Sequence, residues 1–304
     1  MKSREAIVED SFPIRTSITW GILKAIVKDG IVKSNLLGMF AGLSVALSIY
    51  NVSFVDHILV VFLALFGTTF VVGGAGAINN YYDRDIDAHM KRTMERPTVT
   101  GSVTPTFALW LGIVLAVVGI ALLFFISSLT AFVGFLGLFL YLVPYTMWTK
   151  RKTIYNTEVG SLSGAIAPLI GWSAIAPELI HPVSIGLFML MFLWQPPHFY
   201  AIAIRRLEDY KNAKVPMLPV IKGIRRTKVH TFVYLVLLLA SSFLFLSFSK
   251  IVAFAMLGLT LAWMVMGFIS FRKVEDYKWG TMMFVFSLNH LTILFSLLII
   301  VSFI

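Results

Sequence analysis

Long apolar runs recur from about residue 35 to the last residue, at roughly 35–52, 57–79, 106–127, 129–148, 158–177, 182–204, 230–248, 251–271 and 281–303, with no polar domain between them. A helix needs about 20 such residues to cross the hydrocarbon of a bilayer, and each run is near that length. In lipid every backbone N–H and C=O must find its partner internally, so only helices and closed barrels are available, and run length selects helices. The expectation is an all-α integral membrane protein with nine transmembrane helices around a central cavity. A composition that is 58% hydrophobic and 13% charged agrees, and excludes an ordinary soluble enzyme. We read residues 1–304 as a single polytopic membrane domain. Residues 1–34 form a cytosolic arm or interfacial helix, without a signal-peptide core. Two divisions are weak. "SSLT" at Ser127–Thr130 must serve as a very short turn, and the fifth run is rich in Gly, Ser and Ala around Pro168, which suits close helix packing or a cavity wall.

Nine crossings sort the charges. With alternate connections assigned to one side, 24 of the 25 Lys and Arg residues fall together and only Lys250 lies opposite. By the positive-inside rule the N-terminus is cytoplasmic and the C-terminus outside, in the cell membrane. The net charge of +10 is then mostly topology, and a nucleic-acid partner is not implied. Of the 15 acidic residues, 13 share the basic side, all but Asp56 and Glu178, so polar chemistry concentrates on the cytoplasmic face. The absence of Cys excludes disulfides, thiolate metal sites and a cysteine nucleophile, leaving O and N ligands for any metal.

The second run ends in "AINNYYDRDIDAHMKRT". If its helix continues, Asn79, Asp83 and Asp87 are spaced i, i+4, i+8, and Asn80 joins the same stripe at i, i+3, i+7; Asp85 falls off it. Carboxylates four apart on a helix repel. A divalent cation removes that cost, and Mg²⁺ commonly bridges one or two carboxylates to substrate phosphates, which points to a diphosphate site. The plainer alternative is a solvated helix end offset by Arg84, Lys91 and Arg92.

A second stripe follows the sixth run, in "WQPPHFYAIAIRRLEDYKNAKVPMLP". His198, Arg205 and Asp209 share a face at i, i+7, i+11, with Glu208 adjacent, so two acidic helix ends can face one another across a cavity. Arg205 and Asp209 also fit an ordinary i, i+4 ion pair, and His198 a hydrogen-bonded core residue. Pro196 and Pro197 remove two backbone donors, so the helix should kink or restart there, which membrane proteins tolerate where a cavity is lined. The loop "YTMWTKRKTIYNTE" offers Lys150, Arg151 and Lys152 either as topological anchors or as donors to a leaving diphosphate. The 26 Phe and 13 Met residues suit lipid-facing packing or a channel for an isoprenoid tail. Asn289 and His290 in the last run are expected to make interhelical hydrogen bonds rather than to do chemistry.

"NNYYDRDID" resembles the first aspartate-rich motif of the intramembrane prenyltransferases that attach isoprenoid chains to aromatic acceptors. With "YTMWTKRKTIYNT" and the "PPHF" and "EDY" segments, nearly the whole chain from residue 35 is similar to the branch that farnesylates protohaem IX. The resemblance implies transfer of farnesyl from farnesyl diphosphate to a vinyl group of haem b, with water added, giving haem O and diphosphate. It implies Mg²⁺ held by Asn80, Asp83 and Asp87, with Glu208 and Asp209 as a second candidate pair. Asn79, Asn80, Arg92 and Arg96 would bind the diphosphate, Lys150 and Arg151 would hold it as it departs, and His198 would contact haem, with Arg205, Glu208 and Asp209 completing the substrate site. A downstream haem-modifying enzyme is the implied partner. The second motif departs from quinone-pathway members, which carry several Asp there. A quinone-pathway prenyltransferase, a transporter and a non-enzymatic haem or quinol chaperone are the alternatives.

Overall fold

A computed structural model describes residues 18–304, all helical apart from turns. Residues 1–17, with the Lys2, Arg4 and Arg15 charges of the expected arm, lie outside the described residues. The first helix, α1 (Trp20–Val27), is capped by Thr19, whose hydroxyl accepts the Ile22 N–H at 3.3 Å. Lys28 then turns the chain through the left-handed region (φ 57°, ψ 56°) into α2 (Asp29–Ile49). The expected arm is therefore helical from Trp20 onward, and its last six residues belong to the first long helix.

Next come α3 (Ile58–Tyr82), the short α4 (Arg84–Asp87) and α5 (Pro97–Thr100), and α6 (Pro105–Phe124), started by Thr104 and Pro105. The turn before α7 (Ser128–Leu140) is as short as the sequence requires: Ser127 caps α7 by accepting the Thr130 N–H at 3.0 Å. α7 runs on as a π-helix, Tyr141–Thr149, around Pro144. The fifth apolar run folds as two short helices, α8 (Asn156–Gly164) and α9 (Ala167–Ser173). Pro168 has no N–H to return to Gly164, which breaks the helix between them. The remaining helices are α10 (Pro182–Arg205), α11 (Leu207–Asn212), α12 (Leu218–Lys222), α13 (Ile224–Ser241), α14 (Lys250–Ser270) and α15 (Asp276–Ser302). Pro196 and Pro197 do not interrupt α10, which neither stops nor restarts at them.

Among the described residues, eight helices are long and apolar enough to cross a membrane, those built on α2, α3, α6, α7, α10, α13, α14 and α15. Outward-facing Trp110, Phe124, Phe132, Phe135, Phe254 and Phe268 are exposed, as lipid contact requires and water would penalise. One core packs α2, α10 and α13 to α15 around Trp172, Phe245, Trp263, Trp279 and Phe295; another joins α2, α3, α6 and α7 through Met39, Leu43, Leu123 and Val133. α9 is buried against α2 at backbone contact. A Cβ on Gly171 would lie 1.8 Å from Met39 O, and one on Gly42 would lie 2.0 Å from Pro168 O.

That contact makes a testable pair. Gly171→Ala should cost about 1–3 kcal/mol or more by overpacking. Gly258→Ala in α14, where nothing lies within 4 Å, should be neutral or stabilise by up to about 1 kcal/mol. Unfolding midpoints of the two variants in detergent check this, and equal midpoints would contradict the α2–α9 lock.

Candidate active site

The first acidic stripe forms where α3 ends. Asp83 bends the backbone (φ −94°, ψ 5°), yet helical hydrogen bonding continues through it: its N–H donates to Asn79 O at 2.9 Å, and Asp87 N–H donates to Asp83 O at 2.9 Å. Asn79, Asp83 and Asp87 consequently share one face, and they are 2%, 0% and 3% exposed. Buried carboxylates are costly unless charge and hydrogen bonds compensate them. Three separate segments supply cations. Lys28 Nζ donates to Asn79 Oδ1, Lys150 Nζ pairs with Asp83 Oδ2, and Arg96 pairs with Asp87 Oδ2.

The π-helix is tied into the same network. Asn79 Nδ2 donates to Asp83 Oδ2 at 2.7 Å and to Thr146 Oγ1 at 3.1 Å, while Thr146 Oγ1 donates to Tyr141 O at 2.8 Å. Thr149 similarly donates to Pro144 O at 2.7 Å, so hydroxyls at i+5 occupy carbonyls in the wide turns. Desolvation, with the Arg96 and Lys150 cations adding to it, holds the half-buried Lys28 ammonium well below the usual lysine range.

Asn79, Asp87, Lys28, Lys33, Arg92, Arg96 and Lys150 line one end of a cavity of about 750 Å³. Tyr141, Tyr145 and Tyr210 also face it, and the rest of its wall is largely apolar, including Val71, Leu138, Ile170, Met191, Leu288 and Leu291. Lys33 is paired with Asp29 at 2.7 Å, whereas Arg92 has no ion-pair partner among the described residues. The polar end thus carries more positive charge than its own carboxylates neutralise, and it opens onto an apolar chamber.

The other expected residues divide sharply. Asn80 turns away from the cavity and donates to Ile26 O at 2.8 Å, holding α1 against α3. Arg151 grips exposed Asp85 through its two terminal guanidinium nitrogens, at 2.6 and 2.8 Å, and donates to Tyr82 O at 2.8 Å; its contact with Asp83 is longer, 3.5 Å. That guanidinium holds Asp85 below the usual carboxylate range. Asp85, off the stripe by spacing, is therefore the anchor of Arg151.

The second stripe does not form as spaced. α10 ends at Arg205 and the chain turns at Arg206, so Arg205 and Asp209 make no ion pair. Arg205 lies over the Phe284 ring at 4.7 Å. Glu208 is in solvent, paired with Lys211 at 2.8 Å. Asp209 is buried beneath the loop after α4, where Lys91 N–H reaches its Oδ1 at 3.4 Å and its Oδ2 has no partner. The two acidic ends do meet, with Ile86 and Met90 packed against Tyr210, Val215 and Met217, but Glu208 and Asp209 do not line the cavity. His198 does. Its ring stacks on Trp194 with centroids 4.5 Å apart, and its Nδ1 is 2.7 Å from Ser287 Oγ.

His290 Nε2 meets Thr260 Oγ1 at 2.9 Å between α15 and α14, the interhelical bond its setting calls for, whereas Asn289 donates to Val285 O of its own helix at 3.0 Å. Residues not anticipated at the site are Lys28, Tyr141, Tyr145, Thr146 and Gln195. Gln195 was legible as a polar side chain in an apolar run; it lines the cavity and donates to Ser161 O at 3.0 Å, close against Gly164.

Among the described residues no three His, Asp or Glu side chains surround a common metal position. The stripe offers Asn79 Oδ1 and the Asp87 carboxylate at the cavity wall, with the carboxylate of Asp83, fully buried and not itself lining the cavity, next to them, an all-oxygen set. That suits Mg²⁺, which takes one or two carboxylates and completes its shell with water and phosphate oxygens. Asn80, Glu208 and Asp209 stand outside that set.

A family profile described as the UbiA prenyltransferase family matches residues 36–302. A protein of Shouchella clausii named protoheme IX farnesyltransferase is 56% identical over 278 residues, which is 91% of this chain and 89% of the relative. A protein of Bacillus cytotoxicus named protoheme IX farnesyltransferase 1 is 52% identical over 92% of each chain. In fold, the chain is similar to the structure of a UbiA homologue from Archaeoglobus fulgidus bound to GPP and Mg²⁺, with a TM-score of 0.68 at 16% identity, covering 91% of this chain and 99% of that one.

The ionic network predicts unequal costs. Lys150→Met leaves buried Asp83 without its nearest cation and should lower stability by about 3 kcal/mol. Asp85→Ala removes an exposed pair and should cost under about 1 kcal/mol. Unfolding in detergent measures both, and a cheap Lys150 substitution would refute the counter-charge role.

Proposed function

The chain belongs to the UbiA prenyltransferase family, and from that premise we propose that it transfers farnesyl from farnesyl diphosphate to a vinyl group of protohaem IX, with addition of water, yielding haem O and diphosphate. The whole chain serves as one prenyltransferase domain. The observation that carries the reading is the two-ended cavity, a cationic pole on the Asn79–Asp83–Asp87 stripe joined to an apolar chamber walled by Trp194 and His198.

Each part of the site has work in such a transfer. Lys28, Arg92, Arg96 and Lys150 bind the diphosphate in this reading, supported by their common position on the cavity wall, and stabilise the charge it gains as the allylic C–O bond breaks and the bonding pair leaves with oxygen. The apolar chamber holds the isoprenoid tail and limits water around the allylic cation. The vinyl π electrons then form the new C–C bond, and water captures the resulting cation and releases a proton. Mg²⁺ held through Asn79, Asp83 and Asp87 supplies further neutralisation of the diphosphate when bound. Arg151 acts from outside the cavity by fixing the loop that carries Lys150. His198, fixed by Ser287, is the residue for contact with the haem, since imidazole is a common haem ligand.

The topology of the proposal has nine crossings, the α8–α9 pair making the fifth. The N-terminus and the ionic pole face the cytoplasm across the cell membrane, supported by the one-sided distribution of basic residues. The product, a more lipophilic haem, is suited to a downstream haem-modifying enzyme.

Membranes containing the chain, given farnesyl diphosphate and haem b, should yield a farnesylated haem on pigment extraction and mass analysis. A product from hydroxybenzoate in place of haem would sink the assignment in favour of a quinone pathway. Asp83→Asn with Asp87→Asn should cut turnover at least about 100-fold with folding retained, and chelation should stop turnover until Mg²⁺ is restored. His198→Ala should weaken haem binding while farnesyl diphosphate binding persists; unchanged haem affinity removes it from the site.

A further inference from the structure

A second cavity, of about 310 Å³, lies where α13 begins, α14 ends and α15 begins, and shares no lining residue with the first. Arg225, Lys228, Phe271, Arg272 and Asp276 line it. Lys228 is its fixed point. Only 4% of this side chain is exposed, and its ammonium lies 4.9 Å from the Trp279 ring centroid and 5.2 Å from that of Phe271. It donates to Phe271 O at 3.0 Å and to Asp276 Oδ1 at 2.8 Å, which uses two of its three N–H donors. Arg225 and Arg272 are exposed, and neither has a carboxylate partner among the described residues. Three cations therefore face one carboxylate. Arg225 and Asp276 stand in the first turns of α13 and α15, neither of which has a side-chain cap.

An apolar surface adjoins this basic cavity. Phe271 at the cavity packs on Phe232, centroids 6.0 Å apart, and Phe232 on Phe268, 6.4 Å apart. Phe268 is 74% exposed, and exposed Val229, Val233 and Val265 continue the apolar surface along α13 and α14. A basic pocket at the end of membrane helices, continuous with a lipid-facing apolar surface, fits a phosphate whose molecule also carries acyl chains. We propose that Arg225, Lys228 and Arg272 form a binding site for the phosphate headgroup of an anionic membrane lipid, separate from the prenyl-transfer cavity. The guanidiniums supply bidentate donors to the phosphate oxygens, Lys228 its remaining N–H, and the acyl chains lie along α13 and α14. The site does not depend on the assignment of the reaction.

The test uses the full chain in neutral detergent, with native mass spectrometry and thermal unfolding, and dioleoylphosphatidylglycerol, dioleoylphosphatidylcholine or inorganic phosphate as separate probes. Phosphatidylglycerol should bind and raise the unfolding midpoint where phosphatidylcholine does not. Arg225→Gln with Arg272→Gln, both at exposed positions, should weaken phosphatidylglycerol binding about tenfold or more, with midpoint and prenyl transfer in lipid-free detergent unchanged. Equal binding of both lipids, or undiminished phosphatidylglycerol binding by the double variant, would overturn the proposal. Inorganic phosphate matching the lipid's stabilisation would make this a free-phosphate site and equally overturn it.

Discussion

Two carboxylates buried on one helical face, Asp83 and Asp87, are the constraint around which this end of the bundle is arranged. Neither is tolerable in a dry setting without nearby positive charge. The compensating cations come from three separate connections, Lys28 before α2 and Lys150 after the π-helix, both distant in sequence, and Arg96 nine residues beyond Asp87 in the loop after α4, so satisfying the stripe draws three connections over the same opening. The polar pole, the cavity mouth and the packing of α1 on α3 are one solution to that electrostatic problem. On the proposed function, a carboxylate pair balanced by side chains is also one that an incoming diphosphate can take over, since the Lys150 ammonium and the Arg96 guanidinium can each exchange a carboxylate oxygen for a phosphate oxygen.

The cavity joins two kinds of solvent. Its ionic end is built from loops and helix ends, where long Lys and Arg side chains are available, while its body is built from mid-helix residues such as Val71, Leu138 and Met191. Farnesyl diphosphate has the same division, and haem pairs a broad apolar ring with polar substituents. Matching polarity end to end orients a substrate before any specific contact forms, which is much of what positioning contributes to rate.

Much of this was legible in the residues, for identifiable reasons. Spans α2, α3, α6, α7, α10, α13, α14 and α15 announce themselves by length and apolarity. The Asn79–Asp83–Asp87 stripe follows from helical periodicity, which survives the bend at Asp83. Failures arose where tertiary partners decide. Asn80 satisfies the same spacing rule as Asn79, but the backbone of α1 claims it. Lys28 reads as one more topological charge until the left-handed turn aims it inward. Glu208 and Asp209 lost their stripe because α10 ends at Arg205, a helix end with no strong stop signal in "AIRRLEDY". Pro196 and Pro197 do not make α10 restart, whereas Pro168 accompanies a helix break that apolarity alone concealed.

The broken pair α8–α9 bears on how the fold closes. Asn156, Thr157 and Ser161 are buried in α8, and Gln195 of α10 provides the amide that meets Ser161 O beside Gly164. On its other side α9 touches the backbone of α2 too closely for a Cβ at Gly171. The polar half of this pair, α8, carries Asn156, Thr157, Ser161 and Ser163 in only nine residues, and its buried groups need protein partners. The burial of the pair is conferred by neighbours on either side of it in sequence, α2 before and α10 after, so this wall of the cavity can close only once both are in contact with it.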